Sequence, residues 1–309
     1  MCAKKREPLS NLMQKFANKE FVITGELEPG RTTHIEALEQ EANEIKPYIS
    51  AVNITDNPGS FVAMNALAAT TYLQLKTGIE CVFQLTARDQ NRIGLASSLL
   101  GAAAVGVKNV LVLTGDHTTL GDLPQTKPVF DLDSTQLLML AREMVDKKTI
   151  YGKEILDSEK CGPEFHIGIT ANPNTTHPEA ELLKIEKKVE IGAEFIQTQI
   201  MFDLEKTEPF LKELKKFGIP VLIGLFPMKN YATARDFNNF MHGVKVPATL
   251  LKHFETVKNA NMEKNEQKHA YDKINLDFLK PMILELKSKN YAAGAHIAAV
   301  HYTRIYEFL

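Results

Sequence analysis

Cysteine is scarce in this sequence of 309 residues, which has three, at Cys2, Cys81 and Cys161. They lie far apart and form no C-x-x-C pair, so this chain alone builds neither a disulfide framework nor a cysteine-bound iron–sulfur cluster. The scattered histidines form no H-E-x-x-H pattern, which excludes a zinc site of that type. We therefore predict no metal site.

Long apolar runs and an excess of one charge are missing as well. No stretch approaches the roughly 20 apolar residues of a membrane span, so no membrane-spanning segment is expected. The 36 basic and 38 acidic residues give a net charge of −2, which argues against a nucleic-acid partner. No apolar stretch follows the basic first residues, so we infer no secretory signal and expect a cytoplasmic location.

The sequence does contain a regular alternation of short, β-rich apolar runs with longer amphipathic stretches. Eight strands are predicted, at residues 21–27, 51–55, 80–85, 109–114, 165–170, 195–199, 220–225 and 296–300. A predicted helix follows each of the first seven strands, and right-handed parallel crossovers then favour an α/β fold of the closed (β/α)8 TIM-barrel type. A doubly wound open sheet is the alternative fold.

The pattern indicates a single catalytic barrel domain over residues 1–309. Residues 1–17 are predicted as an N-terminal extension, and residues 149–163 as a surface insertion or hairpin. Two or three helices are expected within residues 231–290.

Polar side chains gather at the predicted C-terminal ends of the strands, where barrel enzymes place their active sites. They are Glu26, Glu28, Thr55, Asp56, Gln84, Thr86, Asp116, Asn172, Gln197 and Gln199. Such a cluster indicates a binding site, because each unpaired buried polar group costs roughly 1–3 kcal/mol. No phosphate-binding G-x-G-x-x-G or Walker loop and no nucleophile elbow accompanies them. The pair of acids, Glu26 and Asp116, suits binding and protonation of a polar heterocycle.

Six short motifs, in order and with barrel spacing, carry a resemblance to a known family. They are residues 26–32 (ELEPGRT), 84–92 (QLTARDQNR), 112–116 (VLTGD), 171–179 (ANPNTTHPE), 198–203 (TQIMFD) and 224–227 (GLFP). Together they resemble the bacterial-type catalytic domain of the methylenetetrahydrofolate reductase family, whose members are flavin-dependent barrels, over about residues 18–300. The sequence departs from the family at Glu28, where an aromatic ring is usual, and at residues 298–301, where many relatives have Y-T-L-N.

The resemblance implies that a flavin, FAD in preference to FMN, passes hydride from NADH or NADPH to methylenetetrahydrofolate and so gives methyltetrahydrofolate. It implies that Glu26 protonates the departing folate nitrogen and that Asp116 hydrogen-bonds the pterin and tunes the flavin potential. It also implies Gln199 and Tyr231 as substrate contacts. The implied flavin contacts are Thr55, Gln84, Thr86, Thr114, Gly115, Asp116, Ala171, Asn172, His177 and Lys188, the last at the cofactor's phosphates.

Several alternatives stay open at this point. The same barrel suits a folate-binding methyltransferase or a pterin-binding module without redox chemistry. A partner subunit that carries clusters is an alternative electron donor, and we expect the chain itself to form a homo-oligomer. Arg88, Asp89 and Arg92 suit an ion-paired helix start as well as an anchor for the folate tail, and Lys188 suits a solvated helix face.

Overall fold

Parallel strands form a closed barrel at the centre of the molecule. The computed structural model describes residues 6–240, 244–299 and 301–307. Its strands are β1 (Val22–Leu27), β2 (Ala51–Ile54), β3 (Cys81–Thr86), β4 (Asn109–Leu113), β5 (Thr149–Ile150), β6 (Lys153–Glu154), β7 (His166–Ala171), β8 (Phe195–Ile200), β9 (Val221–Leu225) and β10 (Gly294–Ile297). The barrel order is β1-β2-β3-β4-β7-β8-β9-β10, whereas β5 and β6 form a separate antiparallel hairpin. The predicted (β/α)8 barrel is confirmed, and the alternative open sheet is wrong.

Apart from the first helix, which precedes β1, the helices lie in the connections between the strands. The helices are α1 (Asn11–Ala17), α2 (Glu36–Ile45), α3 (Ala66–Thr77), α4 (Arg92–Ala104), α5 (Ser134–Asp146), α6 (Ser158–Cys161), α7 (Pro178–Ile191), α8 (Leu204–Lys216), α9 (Tyr231–Phe240), α10 (Ala248–Asn259) and α11 (Lys264–Lys289). Single 3-10 turns span Lys46–Tyr48, Pro58–Ser60 and Thr118–Leu120, and a longer one spans Thr303–Glu307. Across the described ranges, none of the helices is both long and apolar enough to cross a bilayer.

The bounds of the first seven barrel strands differ from the prediction by one residue at one or both ends, and those of the last strand differ more. The last barrel strand begins at Gly294, two residues earlier than predicted, and ends at Ile297, while Val300 lies outside the described residues. The segment 149–163 contains the β5–β6 hairpin and α6, and its Ile150 and Ile155 pack against the hydrophobic core.

The barrel interior changes from apolar to polar along the strands. Because strand side chains alternate between faces, every second residue points inward. One buried cluster at the N-terminal end includes Val22, Ala51, Val82, Leu111, Phe195 and Leu222. Two residues further along three of these strands lie Thr24, Asn53 and Gln197, and the Asn53 amide donates to Gln197 Oε1 at 2.8 Å. The same alternation then brings Glu26 to the C-terminal mouth.

Helix α1 covers the N-terminal end of the barrel. Its Leu12 is fully buried and its Phe16 nearly so, in the same cluster as the innermost apolar layer. Ser10 caps the helix by accepting a hydrogen bond from Met13 N at 3.2 Å, and Glu80 Oε1 accepts one from Leu12 N at 2.9 Å. A ligand would therefore approach the interior from the opposite, polar end.

Candidate active site at the barrel mouth

Glu26 lies at the mouth in a hydrogen-bonded chain of side chains from three strands. His296 Nε2 is 3.3 Å from Glu26 Oε2, and its other ring nitrogen, Nδ1, is 3.1 Å from Thr24 Oγ1. Gln84 Nε2 donates to the same Glu26 oxygen at 3.5 Å. The Glu26 side chain is 17% exposed, so protein groups hold one side of the carboxyl group while a ligand can reach it.

Glu28 is a second acid beside Glu26. Burial raises the pKa of Glu28, the charge of Glu26 raises it further, and the charge of His301 lowers it. His301 Nδ1 lies 2.8 Å from Glu41 Oε1, and this hydrogen bond raises the pKa of His301. The position where the family usually has a ring is therefore occupied by an acid with an imidazole nearby.

The end of β2 provides a third acid and an unsatisfied hydroxyl group. Burial raises the pKa of Asp56 to about 6, although the backbone N–H of Thr86 donates to its Oδ2 at 2.9 Å and lowers it. Thr55 Oγ1 is buried and, within the described ranges, has no hydrogen-bond partner. A buried hydroxyl oxygen without a partner costs roughly 1–3 kcal/mol, which a ligand hydrogen bond would recover.

Asp116 follows β4 in an exposed loop whose path depends on Gly115. Gly115 has a φ of +91°, and a Cβ atom there would lie 2.3 Å from Thr86 Cγ2. The Asp116 carbonyl accepts a hydrogen bond from Arg88 Nη1 at 3.3 Å, while its side chain is exposed. Because parallel strands end at one rim, Asp116 and Glu26 lie at the same end of the barrel, with β2 and β3 between their strands.

Replacing Gly115 with Ala should lower the free energy of unfolding by roughly 2 kcal/mol. The new methyl group would clash with Thr86, and alanine also pays the cost of a positive φ. The matched control is Gly106→Ala, since Gly106 has a φ of +79° and a Cβ atom added there would meet no atom within 4 Å. Thermal unfolding of both variants measures the difference. Equal losses would show that backbone conformation alone, and not the approach to Thr86, requires glycine.

Arg88 is the most deeply buried cation in the loop after β3. Its Nε and Nη2 donate to the two carboxylate oxygens of Asp89 at 2.8 and 2.6 Å, and Nη2 also donates to Asn57 O at 3.0 Å. Burial would raise the pKa of Asp89, but its hydrogen bonds to Arg88 and Asn57 outweigh burial and lower it. Arg92 likewise pairs with Asp131 at 2.8 Å. The structure thus shows the ion-paired arrangement at this helix start.

Asp89→Asn should cost roughly 2 kcal/mol of unfolding free energy, less than the loss of a fully buried pair because the Asp89 side chain is 32% exposed. The control is Asp131→Asn, which breaks a similar two-point contact whose Arg92 side chain is 49% exposed and should have a much smaller effect. Urea unfolding at pH 7 measures both. Because the folded-state pKa of Asp89 is lowered, its contribution is present above its ordinary value of 3.8 and should fade below it.

Lys188 is buried, so the alternative of a solvated helix face is wrong. Its Nζ donates to Ser134 Oγ at 2.9 Å, and Ser134 N donates to Thr114 Oγ1 at 3.0 Å. Desolvation lowers the pKa of Lys188, and the charge of Glu181 opposes this effect. Because Ser134 is the first residue of α5, the ammonium group lies beside a helix N-terminus, and both features attract an anion.

The remaining expected cofactor contacts lie around the end of β7. Ala171 is the buried last residue of that strand, and Asn172 uses its Oδ1 to accept from Asn174 N at 3.0 Å. His177 is exposed immediately before α7. In the part of the chain that the structure describes, no three His, Cys, Asp or Glu side chains form a group that could hold a metal ion.

The two further expected substrate contacts lie near the C-terminal end of β8 and after β9. Gln199 is exposed, and its Oε1 accepts from Ile200 N at 3.0 Å. Tyr231 is the first residue of α9, and Lys258 Nζ lies 4.8 Å from its ring centre. Neither side chain makes a hydrogen bond to Glu26 among the residues described.

The structure brings Glu26 and Gln84 into one hydrogen-bonded group and adds His296, which the sequence analysis did not single out. The missed signal was strand register. The strand begins at Gly294, where a Cβ atom would lie 2.6 Å from Val22 Cγ2 in the innermost layer, so position 294 faces the barrel interior. Because side chains alternate between the two faces of a strand, His296, two residues further on, also points inward.

A closed parallel barrel with acids, amides and a buried histidine at its C-terminal mouth has the architecture of a barrel enzyme. A model of the family described as methylenetetrahydrofolate reductase matches residues 11–303. The chain therefore belongs to the methylenetetrahydrofolate reductase family and is an enzyme of this class.

Relatives and solved structures give the extent of the similarity. The chain is 25% identical to the 5,10-methylenetetrahydrofolate reductase of Pectobacterium carotovorum over 83% of its own length and 80% of the relative. It is 24% identical to the probable methylenetetrahydrofolate reductase (NADPH) of Caenorhabditis elegans over 59% of this chain, but the match spans only 25% of that relative. A crystal structure of tryptophan synthase from M. tuberculosis in its aminoacrylate-bound form aligns with a TM-score of 0.43 and 17% identity, covering 80% of this chain and 93% of that one.

Proposed function

We propose that this protein reduces methylenetetrahydrofolate to methyltetrahydrofolate through a bound flavin, as a step of one-carbon metabolism that supplies methionine biosynthesis. The observation that carries the proposal is the carboxyl group of Glu26. It is held from one side by His296 and Gln84 and remains partly exposed at the mouth of a barrel of this family. This is the arrangement that a general acid requires.

The residues at the mouth fit a flavin. Thr55 offers an unpartnered buried hydroxyl oxygen, and Gly115 lets the backbone after β4 pass close to Thr86. Lys188 offers a buried ammonium group beside the N-terminus of α5, which suits the cofactor's phosphates. When bound, a flavin supplies hydride transfer between a reduced nicotinamide and the folate. The proposed further contacts are Gln84, Thr86, Thr114, Asp116, Ala171, Asn172 and His177.

The proposed role of Glu26 is to donate a proton to the folate nitrogen that leaves when the five-membered ring opens. Opening gives an iminium carbon that accepts hydride, and Glu26 is left as a carboxylate that accepts hydrogen bonds from its neighbours. Asp116 is proposed to hydrogen-bond the pterin, and its negative charge disfavours an anionic reduced flavin. Gln199 and Tyr231 are proposed to orient the folate.

The identity of the electron donor is part of the same proposal. NADH or NADPH is proposed as the donor, with FAD as the flavin and FMN as the alternative. A partner subunit is the alternative donor. Cytoplasmic location and assembly into a homo-oligomer are also proposed, and light scattering of the purified protein measures the latter.

An absorbance spectrum and a single-turnover experiment test the proposal. We expect the protein, purified or mixed with FAD or FMN, to show bound-flavin absorbance that is bleached by dithionite. Methylenetetrahydrofolate should then restore the oxidised spectrum with formation of methyltetrahydrofolate. Protein that binds neither flavin contradicts the proposal, and folate binding without any turnover favours the non-redox alternatives. Bleaching by NADH or NADPH, compared with bleaching by a co-purified protein, distinguishes the donors.

A further inference from the structure

His296 is a buried residue of β10 that the proposed reaction has not yet used. Its side chain is 3% exposed, and both ring nitrogens have partners on the neighbouring strand β1. Nδ1 lies 3.1 Å from Thr24 Oγ1, and Nε2 lies 3.3 Å from Glu26 Oε2. The register explains this, because Thr24 is paired directly with His296 across the two strands. The imidazole therefore bridges a buried hydroxyl group and the acid at the mouth.

The partners of His296 define how its protons are distributed. A neutral imidazole has one N–H donor and one acceptor nitrogen. A carboxylate oxygen only accepts, so opposite the Glu26 carboxylate the hydrogen lies on Nε2 and points to Oε2, and Nδ1 accepts from the fully buried hydroxyl of Thr24. Gln84 Nε2 is directed to the same oxygen. Both oriented donors therefore converge on one of the two carboxyl oxygens.

The other oxygen of Glu26 is left for the ligand. Within residues 6–240, 244–299 and 301–307, the hydrogen bonds of the Glu26 carboxyl group all go to Oε2. A protonated carboxyl group whose Oε2 accepts from His296 carries its proton on Oε1. After that proton moves to the folate nitrogen, Oε2 of the carboxylate can keep the same hydrogen bond, so no neighbouring group has to reorient.

We propose that His296 is the positioning residue of the acid: its Nε2–H binds Glu26 Oε2 and thereby directs the proton-bearing Oε1 towards the substrate. This inference rests on the proposed reductase function. His296 touches neither folate nor flavin in this proposal and acts through Glu26 alone.

Other ionisable groups around Glu26 also bear on any pH dependence. Glu28 lies two residues further along the chain and interacts with the charge of Glu26, and the hydroxyl of Tyr306 lies 3.2 Å from Glu26 N, from which it accepts a hydrogen bond. His301 acts on Glu28 from the C-terminal segment. Substitutions at His296 leave all these groups in place, so a difference between two His296 variants reports on the imidazole itself.

Two polar substitutions separate the two contacts of the ring. In H296N the amide takes the place of Nδ1, which keeps the contact with Thr24 but is too short to reach Glu26. In H296Q the amide nitrogen takes the place of Nε2 and can still donate to Glu26. Each variant is reduced with dithionite and mixed with methylenetetrahydrofolate, and flavin reoxidation is followed from pH 5 to pH 9.

We expect H296N to slow reoxidation by about 10²-fold, because a misplaced acid loses its alignment with the folate nitrogen. The pH at which its rate falls to half of the plateau should rise by about one unit, since the carboxylate loses a donor that stabilises it. H296Q should stay within about threefold of the wild type and keep its pH profile. Flavin reduction by dithionite and flavin affinity should be unchanged in both.

The matched control is H166N at the opposite end of the barrel. His166 is also a buried histidine bound to an acid, with Nδ1 2.7 Å from Glu194 Oε1, and its loss should leave reoxidation and the pH profile unchanged.

Equal rates and profiles for H296N and H296Q, or equal loss of flavin binding and reoxidation, overturn the inference. Absence of reoxidation in the wild type overturns the proposed function instead. If H296N does not fold, T24V takes its place. We expect T24V to slow reoxidation without weakening flavin binding, and an unchanged reoxidation rate overturns the inference.

Discussion

Glu26→Gln should lower the rate of folate reduction by roughly 10²–10⁴-fold, while reduction of the bound flavin continues at nearly the wild-type rate. Glutamine has the shape of glutamic acid, and its amide oxygen can still accept from His296 and Gln84. It has no acidic proton for the departing folate nitrogen, so only the folate step should be affected. Stopped-flow absorbance of the flavin in the two half-reactions measures this.

Glu28→Gln is the matched control, because Glu28 lies two residues away and interacts with the charge of Glu26. We expect this variant to keep most of the folate step, since Glu28 is not part of the hydrogen-bonded chain with His296. If the Glu28 variant loses folate reduction and the Glu26 variant keeps it, Glu28 is the acid and the assignment of Glu26 is wrong.

Leu12→Ala should destabilise the protein by about 3 kcal/mol, in the range measured for fully buried leucines. Leu12 is 0% exposed beneath the barrel and belongs to the same cluster as the innermost apolar layer. Truncation removes its apolar surface and leaves a cavity where α1 meets that layer. Urea unfolding measures the loss, and the unfolding transition should remain cooperative because α1 unfolds together with the barrel.

Leu75→Ala is the matched control, because it makes the same leucine-to-alanine replacement at an exposed position. Leu75 of α3 is 79% exposed and buries little surface. Its unfolding free energy should stay within about 0.5 kcal/mol of the wild type. If both substitutions have equally small effects, α1 is not part of the cooperative unit. Since α1 covers the end of the barrel opposite the mouth, Leu12→Ala should leave flavin affinity unchanged at temperatures where the variant is folded.

The number and order of the strands were predictable from the sequence because each one is a short, buried apolar run between turn residues. All six residues of β3, Cys81–Thr86, are buried, and so are all five of β9, Val221–Leu225. This is typical of parallel strands covered on both faces. The last strand was placed two residues late because Gly294 and Ala295 are small and carry little strand signal.

The partners of the mouth residues were not predictable, because they come from strands distant in the chain. Glu26 and His296 are 270 positions apart, and only the closure of β1 against β10 brings them within 3.3 Å. Lys188 was equally compatible with a solvated helix face, and its burial beside Ser134 depends on how α7 packs against α5.

The sequence alone determined the barrel, its polar rim and its likeness to a folate-reducing family, because hydrophobic periodicity and short motifs are local properties of a chain. Only the tertiary structure decided which side chains at that rim meet, which carboxyl oxygen of Glu26 accepts their hydrogen bonds and which charges are buried. Those features depend on strand register and on the closure of the first strand against the last. Contacts of that kind arise between residues far apart in sequence, and local patterns carry no information about their distances.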